Sequence, residues 1–346
     1  MSGKMSGKMS SEKSGKMSSE KSTKMSTEMS TKKSSKTSSA MKISAASWLI
    51  ALVAGLAVPS VFGEYGIGIG LTFLMWVAMT LSWSVLSRLS GYVSLGHAVF
   101  YGLGAYLMAA LWGQVSIPVI VIGAGLAGGL FAALVGTPVL RVRGPYFVIL
   151  SFGLAELVKF SVLALESALG VSSRIIFNAP ELSTLYYAML GLAVASVVLY
   201  EGVRRARLGL GLRALRENEE AAETVGIPVA SYKLAAYVLS AILPAMVGAL
   251  MAMRTPYFSA GQSFDPMISV TVIAMAVLGG GERVSGALAG VIFLTVLAEV
   301  LWASAPLLYM VLLGSVLIGF VLVAPDGVIG LFGRLRNRWL AQGDKS

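Results

Sequence analysis

Runs of apolar residues, each near the roughly 20-residue length of a helix that crosses a bilayer, follow one another along most of this chain. About ten of them are predicted to be spanning helices on this length criterion, at 43–62, 66–87, 94–112, 117–139, 146–166, 184–203, 233–253, 266–281, 286–303 and 306–323. The third and the eighth are short or rich in small residues, so for either of them a broken or re-entrant segment is an alternative to a simple span. The pattern predicts an all-α fold, a polytopic transmembrane helix bundle with about 8–10 spanning segments.

Residues 1–39 follow a different pattern, in which Ser occupies every fourth position from Ser2 to Ser38 and Lys or Glu stands two positions after each serine up to residue 36. A segment so poor in large apolar residues cannot bury a core, so disorder is expected. The chain is therefore divided into a disordered repeat tail at 1–41, a transmembrane domain at 42–335 and a short cytoplasmic tail at 336–346.

The net charge of +10 does not indicate nucleic-acid binding, because residues 1–39 alone carry nine lysines and three glutamates. The remaining positive charge lies in loops, as is usual for membrane proteins, where it marks the cytoplasmic side. If all ten segments cross, one side collects these basic residues: Lys42, Arg88, Arg141, Arg143, the arginines of 204–216, Arg283, Arg334, Arg336 and Arg338. The loops on the opposite side carry only two basic residues, Arg174 and Arg254. Both termini are therefore predicted to be cytoplasmic in a multi-pass protein of the cell membrane. The tail is interpreted as a dispensable low-complexity extension, with a weak attraction to anionic lipid headgroups as the alternative.

One long polar segment, residues 204–228, interrupts the apolar pattern and holds five arginines and four glutamates. Leu208 to Gly211 is predicted to be a flexible lead-in, and a surface helix is predicted to start at Leu212. Pairing of Arg213 with Glu217 and of Arg216 with Glu220 would stabilise it at i,i+4 spacing. An apolar stripe is predicted to run along one side, formed by Leu212, Leu215, Ala222 and Val225. Gly226 suits a left-handed C-terminal cap, so this helix is predicted to end there, ahead of Pro228.

Candidate sites inside the membrane are few. Glu156 lies near the middle of its segment with Lys159 three residues on, and the two are expected to neutralise each other; a structural clamp and a pathway role remain open. His97 is interpreted either as a packing residue or as a pathway residue. Gly279, Gly280 and Gly281 suit a hinge, a substrate-lining break or a tight loop. Small residues at helical spacing are predicted to form close helix contacts, and they are Ser94, Ala98, Gly102, Ala105 and Ala109 on one face, Gly125 with Gly129, and Gly286 with Gly290.

The inventory of side chains excludes several kinds of chemistry. There is no cysteine and one histidine, so zinc sites and histidine-based catalytic triads are nearly ruled out. No phosphate-binding GxxxxGK[ST] loop occurs in the sequence. The chain is therefore expected not to be an enzyme, and any ATP that drives it has to be hydrolysed by another subunit.

Five blocks of sequence, in order, carry a resemblance to a known family. They are LSGYVSLGHAVFYGLGAYLMA at 89–109, PVLRVRGPYFVILSFGLAELVKF at 138–160, the segment from GLGLRALRENEEAAETVGIP onward, AVLGGGERVSGALAGV at 276–291 and APDGVIGLF at 324–332. Glu220-Ala221-Ala222 followed by Gly226 matches the first half of the EAA loop of ATP-binding cassette importer permeases. Over about residues 43–335 the chain resembles the permeases that import branched-chain amino acids, and the RVRGPYF and APDG blocks are most similar to the LivM-like member of the usual pair.

The resemblance implies a transport subunit that forms part of a pathway for branched-chain or hydrophobic amino acids. Implied partners are a second homologous permease, two cytoplasmic ATPase subunits that carry ATP and magnesium, and an extracytoplasmic substrate-binding protein, with no cofactor bound by this chain itself. A coupling helix at about 209–228 would seat in the ATPase, with the contact residues Arg213, Arg216, Asn218, Glu220, Ala221, Ala222 and Gly226. Candidate pathway or hinge residues are Ser94, Gly96, His97, Gly102, Gly104, Glu156, Gly279, Gly280 and Gly281.

Alternatives remain open. Related permeases import urea or short-chain amides, and the pathway segments do not separate these cargoes. A stand-alone secondary transporter or channel would need an intramembrane ion site, for which Glu156 is the main candidate. Two departures from the family pattern stand out: Leu243-Pro244 lies further from Gly226 than in the general EAA loop, and the loop 167–183 lacks a Thr-Gly-Gly-like element that is often present in relatives.

Overall fold

A computed structural model describes residues 53, 55–170, 174–176, 179–255 and 257–304, with the single positions 311, 314, 315 and 318. Two units divide the chain, Met1–Val61 and Phe62–Ser346. In the first unit the described residues 55–61 are helical. The repeat tail, the span predicted at 306–323, most of the span predicted at 43–62 and the tail at 336–346 lie outside the described residues.

Helices form nearly all of the described part of the second unit. In chain order they are α1 Glu64–Ser90, α2 His97–Leu111, α3 Ile117–Val139, α4 Pro145–Ala168, α5 Leu182–Arg205, α6 Arg207–Glu217, α7 Glu219–Thr224, α8 Val229–Ala252, α9 Ala260–Ser263, α10 Pro266–Gly279 and α11 Val284–Ser304. Two strands of two residues each, β1 Arg174–Ile175 and β2 Tyr257–Phe258, pair antiparallel. The predicted all-α bundle is confirmed, and seven of the described helical segments are long and apolar enough to cross a membrane.

The eight predicted spans that fall within the described residues each correspond to a helix, and the third and the eighth are both short. Helix α2 has 15 residues, which at about 1.5 Å per residue is shorter than the hydrocarbon core. The eighth segment forms the single helix α10 of 14 residues. The short helix α9 precedes it, and Phe264 and Asp265 separate the two. The Asp265 side chain accepts a hydrogen bond from the Met267 N–H at 2.9 Å, and Pro266 occupies the first turn. This N-cap starts a new helix instead of continuing the old one.

Helix α1 forms the core of the described bundle. Its residues from Ala78 to Leu86 are all buried, on every side of the helix, because α5, α6, α8, α10 and α11 pack around it. A helix that is buried all round carries apolar residues on all faces, and its few hydroxyls need partners inside the protein. Ser82, for example, donates to the Ser240 carbonyl of α8 at 3.0 Å.

Glycines allow the helices to approach closely, as the small-residue pattern predicts. A Cβ on Gly104 would overlap the Ala245 carbonyl, and one on Gly248 would overlap the Tyr101 carbonyl, so α2 and α8 touch backbone to backbone. Small residues similarly join α3 to α8 and α10 to α11, at the positions Gly125, Gly128, Gly129, Gly286 and Gly290. The predicted packing faces at 125/129 and 286/290 are confirmed, and van der Waals contact of this kind holds membrane helices together.

The loops between the helices form two sets, as expected when successive spans run in opposite directions. Strands β1 and β2 join the segments after α4 and after α8. At the other ends of the helices, Arg216 after α5 pairs with Glu282 before α11, and Arg143 before α4 pairs with Glu219. The second set holds those basic residues assigned to the cytoplasm that belong to the described part of the chain: Arg88, Arg141, Arg143, the arginines of 204–216 and Arg283. Which side of the membrane each set faces stays a prediction.

Substituting Gly104 with Ala is expected to destabilise the protein, because the added Cβ meets the Ala245 carbonyl and the two helices must separate. Overpacking of this kind costs about 1–3 kcal/mol. The matched control is Gly123→Ala in α3, where a Cβ would have open space, and where replacing a helical glycine gains about 0.5–1 kcal/mol. Thermal unfolding of the full chain in detergent measures both, and equal midpoints would contradict the backbone contact.

Candidate functional site

The polar segment 204–228 forms two helices joined at Asn218, and not one helix from Leu212. Gly209 and Gly211 belong to α6, so the prediction of a flexible lead-in is wrong. A Cβ on Gly209 would overlap the Val203 carbonyl, and one on Gly211 would overlap the Tyr232 ring. These glycines are therefore needed for close packing. At the break, Asn218 is extended and its side chain accepts from the Ala221 N–H at 3.0 Å, which caps α7.

The two predicted ion pairs within this segment are also wrong. The break at Asn218 separates Arg216 from Glu220, and Arg213, which shares α6 with Glu217, bonds to other groups. Arg216 instead donates to Glu282 at 2.7 Å and to the Arg88 carbonyl at 2.8 Å. Arg213 donates to the carbonyls of Gly209 and Arg204, at 3.2 and 2.8 Å. Arg216 therefore ties α6 to the end of α1 and to the start of α11.

One face of the segment is buried against the bundle and the other is open. Leu212, Leu215 and Ala222 are buried, as the predicted stripe requires, but Val225 is 82% exposed. Glu220, Ala221 and Gly226 are exposed. The candidate docking residues thus divide: Ala222 faces inward, and its neighbours face outward.

Gly226 ends α7 as the sequence predicts. Its φ is +89°, and its N–H donates to the Glu223 carbonyl at 3.0 Å while the Ile227 N–H donates to the Ala222 carbonyl at 3.1 Å. This pair of hydrogen bonds is a Schellman motif, which requires a left-handed residue. A side chain at this position would strain the turn.

A cluster of polar side chains fixes α7 to the bundle, with Glu219 at its centre. Lys233 of α8, only 3% exposed, forms an ion pair with Glu219, and Arg143 contacts the same carboxylate oxygen at 3.2 Å. The Tyr92 hydroxyl donates to the other oxygen at 2.8 Å and accepts from Lys233 at 2.6 Å. The Lys233 ammonium also lies 4.4 Å from the centroid of the Tyr92 ring, and Phe147 packs edge-on against that ring. Three separate parts of the chain therefore meet at one carboxylate.

The electrostatics of the cluster favour an ionised Glu219. Burial on its own would raise the pKa of this carboxyl, but hydrogen bonds from Lys233 and Tyr92 and the charges of Lys233 and Arg143 outweigh it, so the pKa is lowered. Burial and the hydrogen bond to Glu219 raise the pKa of the Tyr92 hydroxyl, which keeps its proton. Because the folded pKa of Glu219 is lowered, the stabilisation is complete above the ordinary value of about 4.3 and is lost as the pH falls through the lowered value.

A cavity of about 430 Å³ opens beside the cluster. Its walls come from the end of α3, the loop before α4, α7 and the start of α8. Among its lining residues are Arg141, Arg143, Glu219, Glu223 and Lys233. The charged cluster is thus reached from the same side of the molecule as the open face of α7.

A second group of candidate residues lies inside the bundle, where the chain turns back after α1. Residues 91–96 are not helical. The indole N–H of Trp83, well before the end of α1, donates to the Ser94 carbonyl at 2.9 Å, so this segment runs back alongside α1. Helix α2 therefore begins at His97 within the bundle and not at its surface. The segment 91–96 with the first turn of α2 is called the re-entrant segment below.

His97 and its surroundings are fully buried. Neither ring nitrogen of His97 has a hydrogen-bond partner within the described residues, and the same holds for the hydroxyl of Tyr237. Phe100 packs edge-on against both rings, with centroids 5.8 and 5.6 Å apart. Gly96 faces this group, with the Tyr237 hydroxyl 3.7 Å from the place of a Cβ. A part in a transport pathway stays a prediction for these residues.

The remaining pathway candidates lie apart from this group. Gly102 packs against the Phe264 ring and Gly104 against Ala245, which gives both glycines a packing role. Glu156 and Lys159 lie 3.7 Å apart on α4, as their spacing predicts. Helix α10 ends at Gly279, and Gly280 and Gly281 have φ values of +67° and +65°.

The glycine turn after α10 is held from α1. Arg88 donates to the carbonyls of Ala276 and Gly280, the second at 2.9 Å. A cation at a helix C-terminus satisfies carbonyls that have no partner within the helix. The turn is therefore a capped, tight connection between α10 and α11.

Sequence reasoning missed the cluster around Glu219, although one signal was present. Lys233 is an ionisable residue at the start of a predicted span, and such residues pair with one another or mark functional positions. Its partners Glu219, Tyr92 and Arg143 lie in three different segments, and no local pattern connects them.

Comparison with known proteins identifies the class of this chain. A model of the family described as branched-chain amino acid transport system / permease component matches residues 65–323. The chain belongs to this family of permease components, and it is a multi-pass membrane protein.

Individual relatives agree with this assignment. The high-affinity branched-chain amino acid transport system permease protein LivM of Salmonella typhimurium (strain LT2) is 28% identical, over 80% of this chain and 73% of that protein. LivM of Escherichia coli (strain K12) is also 28% identical, over 82% and 74%. The probable permease protein LivH of Methanocaldococcus jannaschii is 22% identical, over 80% and 90%. No solved structure matches the chain.

Replacing Lys233 with Met is expected to release α7, because the Glu219 carboxylate loses its buried partner. Removing one member of a buried ion pair costs about 3–5 kcal/mol, so at about 1.4 kcal/mol per factor of ten the open form gains about 100-fold or more. The rate of cleavage by the glutamate-specific protease Glu-C at Glu220 and Glu223 of α7 measures this opening. The control is Lys159→Met in α4, and adding Glu219→Gln to Lys233→Met is expected to restore part of the protection. Unchanged cleavage in the single variant would contradict the docking.

Proposed function

We propose that this chain is a permease subunit of an ATP-binding cassette importer and forms part of the pathway that carries branched-chain or other hydrophobic amino acids across the cell membrane. The observation that carries the proposal is the two-faced segment α6–α7. One face is anchored to the bundle, and the other presents the Glu220-Ala221 pair and Gly226 to a partner. Membership of the permease family and the named relatives support the same role.

The partner at the open face is a cytoplasmic ATPase, in this proposal. ATP and magnesium bind to two such subunits and not to this chain, whose sequence has no phosphate-binding loop. The small side chain of Ala221 and the absence of one at Gly226 allow a partner surface to approach the backbone of α7. Arg213, Arg216 and Asn218 then fix the shape of α6–α7 through hydrogen bonds within this chain. The contact with the ATPase also needs the exposed residues of α7.

The rest of the machine follows from the same family. A second homologous permease completes the pathway, and an extracytoplasmic binding protein delivers the substrate to the loops on the side of β1 and β2. Both chain termini and α6–α7 face the cytoplasm. A stand-alone secondary transporter is less well supported, because the carboxylate of Glu156 is already paired with Lys159.

Replacing Glu220 with Trp, or Gly226 with Trp, is expected to abolish uptake and to release the ATPase, because each adds bulk to the open face of α7. We expect at least a tenfold loss of ATPase in pull-downs of the co-expressed complex, about 1.4 kcal/mol or more. The control Gln114→Trp adds the same bulk to an exposed residue of the opposite set of loops, and there the ATPase is expected to stay bound. Uptake that persists without any ATPase would refute the proposal.

The cargo is tested separately. The soluble binding protein encoded beside this gene is expected to bind leucine, isoleucine or valine and not urea or short amides. Titration calorimetry with leucine and with urea measures the difference, and binding of urea alone would assign the importer to the alternative cargo while leaving the permease role intact.

A further inference from the structure

Glu219 joins the segment that faces the ATPase to the segment that enters the membrane. Its carboxylate lies at the start of α7, beside the exposed Glu220 and Ala221. Its hydrogen-bond partner Tyr92 is the second residue of the re-entrant segment. Two side chains, those of Glu219 and Tyr92, therefore connect the open face of α7 to the inside of the bundle.

The re-entrant segment is rigid enough to pass on a displacement of Tyr92. Beyond Tyr92 it is held at Ser94 by Trp83, and the Leu95 N–H donates to the Ser151 hydroxyl of α4 at 3.0 Å. The Ala98 N–H donates to the Ser269 hydroxyl of α10 at 2.9 Å. These hydrogen bonds connect the segment that follows Tyr92 to α1, α4 and α10.

The other contacts of Glu219, Lys233 and Arg143, lie outside the re-entrant segment, and Lys233 also donates to the Tyr92 hydroxyl. Lys233 is buried at the start of α8, and Arg143 lies in the loop before α4 with its side chain 55% exposed. These two hold α7 against the bundle. Tyr92 alone among the three partners belongs to the segment that leads into His97 and α2.

We propose that Glu219 and Tyr92 are positioning residues that couple ATPase movement at α7 to the re-entrant segment and so to the first turn of α2. This inference rests on the proposed function and adds to it the route of the movement. It assigns to Glu219 a role distinct from that of Glu220: Glu220 faces the partner, and Glu219 faces the membrane segment. Coupling between sites needs a structural element that both sites displace, and the re-entrant segment is that element here.

The Tyr92→Phe substitution tests the route, because it removes the hydroxyl and keeps the ring that packs on Phe147 and Lys233. Glu219 retains Lys233 and Arg143, so α7 stays docked and the ATPase stays bound. In the full co-expressed importer we expect leucine uptake to fall about tenfold, with ATP hydrolysis preserved, so that the ATP consumed per leucine rises about tenfold. The matched control is Tyr146→Phe, which removes a hydroxyl from a side chain 72% exposed in the first turn of α4.

A thiol probe measures the movement directly. The chain has no cysteine, so Val93→Cys places a single thiol in the re-entrant segment. We expect its rate of reaction with a maleimide to differ at least threefold between the nucleotide-free importer and the importer trapped with ATP and vanadate. Adding Tyr92→Phe is expected to abolish that difference in the complexes that retain the ATPase, which separates the route from a loss of assembly.

The outcomes distinguish the two proposals. A nucleotide-dependent reaction rate that survives Tyr92→Phe, or an unchanged ATP-to-leucine ratio, overturns the route through Tyr92 and leaves the permease role intact. Failure of the unsubstituted chain to purify with an ATPase, or leucine uptake without ATP, overturns the proposed function itself.

Discussion

Every main-chain N–H and C=O inside a bilayer needs a partner within the protein, and the re-entrant segment is where this chain meets that requirement without a helix. Trp83 satisfies the Ser94 carbonyl, and the hydroxyls of Ser151 and Ser269 satisfy two N–H groups of the segment. These side chains come from α1, α4 and α10. The non-helical backbone therefore determines how three helices are placed, since any of them can move away only by leaving a buried polar group unpaired.

The same requirement explains why α2 is short and why its packing is so close. A helix that begins inside the bundle cannot span the membrane, so it depends on neighbours along its whole length. Gly104 and Gly248 bring α2 and α8 into backbone contact, with no room for a side chain between them. In lipid, where apolar surface gains little by leaving its surroundings, such close contact is a main source of stability between helices. The glycines of α2 serve this packing.

How much of this could be read from the sequence depended on whether the cause was local. Span positions, the cap at Gly226 and the pair Glu156–Lys159 all follow from neighbouring residues, and all were predicted. The helix start at Asp265 has an equally local cause but was not predicted. The ion pairs assigned to Arg213 and Arg216 failed because each arginine has a nearer partner from elsewhere in the fold. The prediction of a single helix from Leu212 failed although its cause is local: the side chain of Asn218 caps a new helix, and α7 then turns toward Lys233.

Two anchors, one on each side of Asn218, hold the partner-facing segment. On one side Arg216 reaches Glu282, which follows the glycine turn between α10 and α11, and Arg88 caps α10 at the same turn. On the other side Glu219 reaches Tyr92 and Lys233. A segment held at one point could rotate without moving the bundle. In the proposed importer, a segment held on both sides of a break would transmit movement of the ATPase to two parts of the bundle. In that importer, the break at Asn218 would let α6 and α7 act on separate parts of the membrane domain.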